Sequence, residues 1–246
     1  MNQKDYIVVI PARYDSTRLP GKPLVNIAGK PMIQRVYEQC TKAVDSDLVF
    51  VATDDQRIRS ACESFGAKVV MTSSECLTGT DRVAEVSRKI DVRYYINVQG
   101  DEPFFNPTDI TLLVDQLNFE EDEIVMGYCS IHSKADFENR AIPKMIFSEH
   151  NQLLYMSRSP IPGNKRDEFT SAWRQVCAYA FPKASLEVFS SINSKTPIEE
   201  IEDLEMLRFL EKGVSIKVVE MSSESIAVDH PEDVEKALKR LEYEAQ

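Results

Sequence analysis

The sequence predicts an α/β fold: a mostly parallel sheet with helices on both faces, carrying a smaller mixed or antiparallel region in its second half. Three observations lead there. Short β-branched apolar runs alternate with helical patterns through the first half of the 246 residues. Several of these runs end abruptly in polar loops rich in Gly, Pro, Asp and Thr. Beyond residue 124 the alternation lapses, and successive apolar runs follow one another as strands.

Strands are expected at 6–10, 48–52, 68–71 and 94–98, each a compact run of Val, Ile, Tyr or Phe. Between them, 31–43, 56–65 and 81–90 read as helices. Pro31 suits a first helical turn, where its missing N–H is no loss. Thr53-Asp54-Asp55 supplies capping oxygens before the second helix. In the second half, 124–130, 144–147, 153–157 and 174–181 read as strands, with a turn over 160–164. A helix over 198–210, with Ile198, Ile201, Leu204 and Leu207 on one stripe and most of its carboxylates facing water, is followed by a strand at 215–219. A last helix begins near Pro231. The expected plan is one domain over 1–246, with a core from 1–124 and 191–246 and an inserted subregion over 125–190.

Composition narrows the function. The net charge of −11 argues against a nucleic-acid partner and against an anionic membrane surface. The first residues lack the apolar core of a secretory signal, and no apolar run reaches spanning length. Five cysteines, scattered and never in C-x-x-C spacing, read as reduced thiols of a cytoplasmic protein. His132, His150 and His230 are too far apart in sequence to suggest a cluster.

Against this acidic background the first 42 residues hold seven Lys or Arg and only three Asp or Glu. Arg13, Arg18 and Lys22 lie in one loop at the end of the first strand, where open α/β sheets bind ligands. The pattern implies an anionic ligand, a polyphosphate. A solvated basic loop, or one paired to the acidic C-terminal helices, is the competing reading. The loop has neither the G-x-x-x-x-G-K-[ST] nor the G-x-G-x-x-G pattern. Gly21-Lys22 still lets backbone approach phosphate closely beside a point charge. Asp101, just after an apolar strand, suits a hard divalent cation but needs a second ligand. Asp229 is that ligand or else the cap of the helix at Pro231. Thr78-Gly79-Thr80-Asp81-Arg82 serves equally as a base-reading loop or as a helix N-terminus.

These motifs together resemble the CMP-Kdo synthetases, the 3-deoxy-manno-octulosonate cytidylyltransferases. The resemblance rests on Ile10-Pro11-Ala12-Arg13-Tyr14-x-Ser16-Thr17-Arg18-Leu19-Pro20-Gly21-Lys22-Pro23-Leu24 and on Gly29-Lys30-Pro31-Met32-Ile33. It continues through Val51-Ala52-Thr53-Asp54-Asp55, Gly79-Thr80-Asp81-Arg82 and Asn97-Val98-Gln99-Gly100-Asp101-Glu102-Pro103. It ends with Tyr155-Met156-Ser157-Arg158-Ser159-Pro160-Ile161-Pro162, Leu204-Glu205-x-Leu207-Arg208 and Val228-Asp229-x-Pro231-Glu232-Asp233.

The resemblance implies a Rossmann-like nucleotidyltransferase that joins CMP from CTP to a 3-deoxy-2-ulosonic acid and releases pyrophosphate. Such an enzyme serves lipopolysaccharide or other surface-glycan synthesis, works in the cytoplasm and is a homodimer. It also implies that Pro11, Ala12, Arg13, Ser16, Arg18, Lys22, Thr78, Gly79 and Arg82 bind the nucleotide. Mg²⁺ falls to Asp101 and Asp229, with Lys22 as the principal catalytic cation. Gln99, Arg158, Tyr179 and Glu205 fall to the sugar, together with Gln175 and Met206. At those last two positions the family typically has His and Gln, which leaves the acceptor as Kdo, a modified Kdo such as the 8-amino sugar, or another ulosonic acid. A nucleotide-sugar-dependent glycosyltransferase would instead favour Asp-x-Asp, whereas Asp101 is followed by Glu102-Pro103. A non-catalytic nucleotide sensor has no need of Lys22, Asp101 and Asp229 together.

Overall fold

In chain order the first elements are β1 (Tyr6–Ala12), β2 (Asn26–Ile27), β3 (Lys30–Pro31), α1 (Met32–Ala43), β4 (Val49–Thr53), α2 (Gln56–Ser64), β5 (Lys68–Met71), α3 (Gly79–Ser87), β6 (Tyr94–Val98) and α4 (Pro107–Asp115). The computed structural model describes residues 5–16, 18–118, 120–166, 168–223 and 227–244. The N-terminal four residues, Thr17 and Ile226, all drawn on by the sequence reading, lie outside these. The chain divides into two compact units, Met1–Thr111 with Glu224–Gln246, and Leu112–Ser223.

The first unit holds β6, β1, β4 and β5 side by side in that order, all parallel. The chain runs outward from β1 to β4 and β5, then returns to place β6 on the other side. That reversal is the switch point at which such sheets bind ligands. Every residue of β6 and the last six of β1 are buried, so both faces of the central strands are covered.

Sequence reading placed β5 and β6 at their observed bounds, and two other boundaries differ instructively. β1 runs two residues past the expected end, because Pro11 and Ala12 still pair in register with Ala52 and Thr53. A proline is tolerated there because the strand is ending. Pro31 does not enter a helical turn. It sits at the N-cap with an extended backbone, pairing with Asn26 in a short hairpin.

The second unit contains β7 (Ile124–Ile131), α5 (Lys134–Glu138), β8 (Lys144–Phe147), β9 (Leu153–Ser157), β10 (Ala172–Pro182), α6 (Lys183–Phe189), α7 (Pro197–Glu202), α8 (Met206–Glu211) and β11 (Ile216–Glu220). β10 pairs antiparallel with β7 and β8, β8 antiparallel with β9, and β11 parallel with β7. The expected subregion at 125–190 lies wholly inside this unit, which extends further because β11 returns to pair Ile216 with Ile124. The chain then re-enters the first unit as α9 (Pro231–Glu244).

One helix expectation is overturned. The acidic stretch at 198–210 is two helices, α7 and α8, separated at Asp203, whose φ of 51° is left-handed. The break destroys the single stripe, so Ile198 and Ile201 are exposed. One of the stretch's carboxylates is the exception to a solvated face. Glu199 and Arg208 have fully buried side chains and pair at 2.7 Å through both oxygens, with the guanidinium 3.8 Å above Phe189. Periodicity finds apolar faces but is blind to two buried charges that satisfy one another.

Candidate active site

Three loops leave the carboxyl ends of parallel strands in the first unit and line one cavity of about 210 Å³. From the end of β1 and the loop after it come Pro11, Ala12, Arg13, Ser16, Arg18 and Lys22; after β5 come Cys76 to Gly79, with Arg82; after β6 come Gln99, Gly100 and Asp101. All nine residues expected to bind the nucleotide therefore lie on one wall or another. Gln99, expected on the sugar side, lines the same cavity.

Lys22 is the electrostatic centre. Its ammonium donates to Asp101 Oδ2 at 2.6 Å and to Asp229 Oδ1 at 2.9 Å. Arg18 reaches the same Asp229 oxygen at 3.0 Å. Burial disfavours the Lys22 charge, but the two carboxylates outweigh it and hold the Lys22 pKa above its ordinary value. The ammonium is thus charged at every physiological pH. Of the two readings of the cationic loop, the structure contains parts of both: the loop lines a cavity, and two of its cations pair with the residue just ahead of α9.

Asp229 is free for this work because another residue caps α9. The Asp233 carboxylate accepts from the backbone N–H of Asp229 at 3.2 Å and of His230 at 3.0 Å. An apolar cluster fixes the approach: Ile27, Met32, Phe104, Val228 and Ala237 pack together, with Val234, Leu238 and Leu241 of α9 against them. Val228 also donates its N–H to the Asp101 carbonyl at 2.9 Å, which holds the two aspartates side by side. The capping reading of Asp229 is therefore wrong in its agent. Sequence reasoning missed the signal that Asp233 stands at N3, the position from which a carboxylate reaches back.

The loop at Thr78 resolves as both of its readings. Thr78 and Asp81 form a capping box, so α3 starts at Gly79, two residues ahead of expectation. Thr78 and Gly79 of that turn also face the cavity. Arg82, in contrast, is buried and committed: it pairs with Asp54 at 3.0 Å and donates to Thr72 Oγ1 at 2.6 Å and the Ser73 carbonyl at 3.2 Å. It braces the loop that carries Cys76 to Thr78. Burial pushes the Cys76 thiol up to about 11, so it stays protonated on the cavity wall. At Gly100 an added Cβ would lie 2.6 Å from the Pro11 carbonyl, so only glycine lets β1 and the β6 loop approach this closely.

The remaining expected sugar residues belong to the second unit. Arg158, just past β9, donates through Nε to the Glu202 carbonyl at 2.6 Å, and through its terminal nitrogens to the carbonyls of Asp203 at 3.0 Å and Arg140 at 3.3 Å. Its backbone N–H goes to the Glu202 carboxylate at 2.8 Å. Burial raises the Glu202 pKa, but the bonds from Ser157 and Arg158 outweigh it and the carboxyl ends below its usual range. Beside it, Lys144 is fully buried and donates to the carbonyls of Asn139, Ile142 and Arg158. Burial, then the nearby arginines, lower its pKa. Nothing local in the sequence announces Glu202 or Lys144, whose partners are brought by the fold.

Gln175 and Tyr179 flank a β-bulge in β10 where the register with β7 shifts between Val176 and Tyr179. Gln175 Nε2 donates to the Tyr179 hydroxyl and, at 3.3 Å, to Cys177 Sγ. Its Oε1 is buried with no hydrogen-bond partner among the described residues. Tyr179, Phe181 and Phe209 form an aromatic ladder with centroid spacings of 5.4 Å, which ties β10 to α8. Glu205 and the buried Met206 stand at the start of that helix.

A cationic cavity at the switch point of a parallel sheet, with two aspartates converging on one of its cations, is the kind of site that a nucleotide-handling enzyme presents. The chain matches the Cytidylyltransferase family model over residues 7–218 and belongs to that family. It is 41% identical to the 8-amino-3,8-dideoxy-manno-octulosonate cytidylyltransferase of Shewanella sp. (strain W3-18-1), over 96% of this chain and 98% of that one. It is 39% identical to the 3-deoxy-manno-octulosonate cytidylyltransferase of Escherichia coli, over 94% and 93%. A CMP:2-keto-3-deoxy-manno-octonic acid synthetase solved with CTP superposes with a TM-score of 0.90 at 36% identity, covering 97% of this chain and 99% of that one. The enzyme class is thereby CTP-dependent nucleotidyl transfer. Among the described residues no helix is long and apolar enough to cross a membrane.

Proposed function

We propose that the enzyme transfers CMP from CTP to the anomeric hydroxyl of an octulosonate-type 3-deoxy-2-ulosonic acid, and that Asp101 and Asp229 hold Mg²⁺ for it. The observation that carries the proposal is the convergence of both carboxylates on a single cation, Lys22 Nζ, in a cavity also lined by Arg13 and Arg18. Two carboxylate oxygens aimed at one point suit a hard divalent cation, which takes its other ligands from phosphate and water. Bound there, Mg²⁺ would supply charge neutralisation on the phosphates.

The chain's own groups position and neutralise. The anomeric oxygen forms a bond to the α-phosphorus as the bond to pyrophosphate breaks, and the hydroxyl proton leaves to solvent. Arg13, Arg18 and Lys22 receive the charge that builds on the departing oxygens, in a site organised before the nucleotide arrives. Arg158 Nη2 also pairs with the Asp203 carboxylate at 3.7 Å, which leaves one N–H on Nη1 beyond its backbone bonds to offer to the sugar carboxylate. The enzyme works in the cytoplasm, where CTP is made, and as a homodimer; exposed Leu154 and Ile201 provide apolar surface for that contact.

With Gln175 assigned to the sugar, its unpaired Oε1 favours a substrate that brings a donor, as an 8-amino group does. A pyrophosphate-release panel with CTP tests this. Turnover is expected with octulosonates and greatest with the 8-amino sugar; release without any sugar, or with none of the panel, would overturn the assignment. Restoring Gln175→His and Met206→Gln together is expected to shift relative kcat/KM toward the 8-hydroxy sugar by about tenfold or more, the worth of one mismatched buried polar group. An unchanged ratio would remove both residues from the specificity argument.

A further inference from the structure

We propose that Tyr14 and Arg57 form a latch that positions the cationic loop for the triphosphate, an inference that rests on the nucleotide reading of the cavity. Neither residue lines the cavity, yet between them they tie the loop to α2. The Tyr14 carbonyl accepts the N–H groups of Ser16 and Gly21, each at 3.0 Å, and so closes the loop on itself. The edge of the Tyr14 side chain covers Gly21, where an added Cβ would lie 3.2 Å from two ring carbons and 3.2 Å from the hydroxyl oxygen. Gly21 has a φ of 67°, the left-handed conformation that turns the chain into Lys22. Over the face of the Tyr14 ring sits the Arg57 guanidinium, 3.3 Å from the centroid.

Arg57 is itself held. Its Nε and Nη2 fork onto Asp55 at 3.0 and 2.5 Å, and Asp55 also accepts the Arg57 and Ile58 N–H groups as the cap of α2. The Arg57 hydrogen bond is the main reason the Asp55 carboxyl is held below its usual range. A rigid helix end therefore reaches through a planar cation and an aromatic ring to the residue next to Lys22. Lysine cannot replace this arginine, since an ammonium neither forks onto a carboxylate nor stacks flat on a ring.

The experiment compares Tyr14→Ala, Tyr14→Phe, Arg57→Ala and Arg57→Lys with the unaltered enzyme. Tyr14→Ala, Arg57→Ala and Arg57→Lys are expected to raise KM for CTP about three- to tenfold, with kcat and KM for the sugar within twofold, because loop order affects nucleotide binding. Tyr14→Phe keeps the ring and is expected to behave as the unaltered protein. Amide exchange at Gly21 should quicken in the three disrupting variants while β1 amides stay protected, in protein without nucleotide. An unchanged KM for CTP, unchanged exchange at Gly21, or equal losses for both substrates with a lowered Tm would overturn the latch. An unaltered enzyme that did not turn over CTP would instead overturn the functional reading, leaving the exchange result to judge the latch alone.

Discussion

Asp101→Asn is expected to lower turnover with CTP by about a thousandfold while the fold survives. The substitution changes no volume and removes one negative charge from the pair that faces Lys22. Asp101 supports its neighbourhood through its backbone carbonyl, which accepts from Val228 whatever the side chain. Its side chain is a quarter exposed, so the lost ion pair costs little stability. Steady-state kinetics across a Mg²⁺ titration, with Tm measured alongside, checks the expectation. Turnover near that of the unaltered enzyme at saturating Mg²⁺ would show that Asp101 holds no metal.

Arg208→Met is expected to destabilise the second unit by about 3–5 kcal/mol, the cost of leaving a buried carboxylate without its partner. Both side chains of the Glu199–Arg208 pair are fully buried, so water cannot take the place of the guanidinium. Glu199 also accepts the Thr196 N–H, which keeps its carboxylate fixed in place when Arg208 is gone. Thermal unfolding should show a Tm lower by about 10 °C or more. Replacing both residues, Glu199→Leu with Arg208→Met, should recover much of the loss, because an apolar pair does not need the compensation that a lone charge lacks. A single variant that unfolds at the temperature of the unaltered protein would mean that the pair is not sealed from water.

What could be read from the chain alone follows from which interactions are local. β6 is visible because Tyr94 to Val98 is a dense apolar run, and the capping box at Thr78 because its partners are three residues apart. The cationic loop and Asp101 stand out because each breaks an apolar strand with charge. Glu202, Lys144 and Asp54 stayed hidden because their partners lie far along the chain or are backbone carbonyls. The break at Asp203 was lost for a related reason: α7 and α8 share an apolar period, and a single left-handed residue leaves no trace in it. Asp229 needed the fold most, since only the packing of α9 shows that Asp233 caps the helix and frees its neighbour for the cation.

The central claim is that this cavity makes a phosphodiester between CMP and a ulosonic acid. Phosphorus NMR of a reaction containing CTP, Mg²⁺ and the 8-amino octulosonate tests it most directly. One new phosphodiester resonance should appear together with one equivalent of pyrophosphate, and neither should appear when Asp101 is replaced by Asn. Pyrophosphate without the phosphodiester, or inorganic phosphate in its place, would contradict the account.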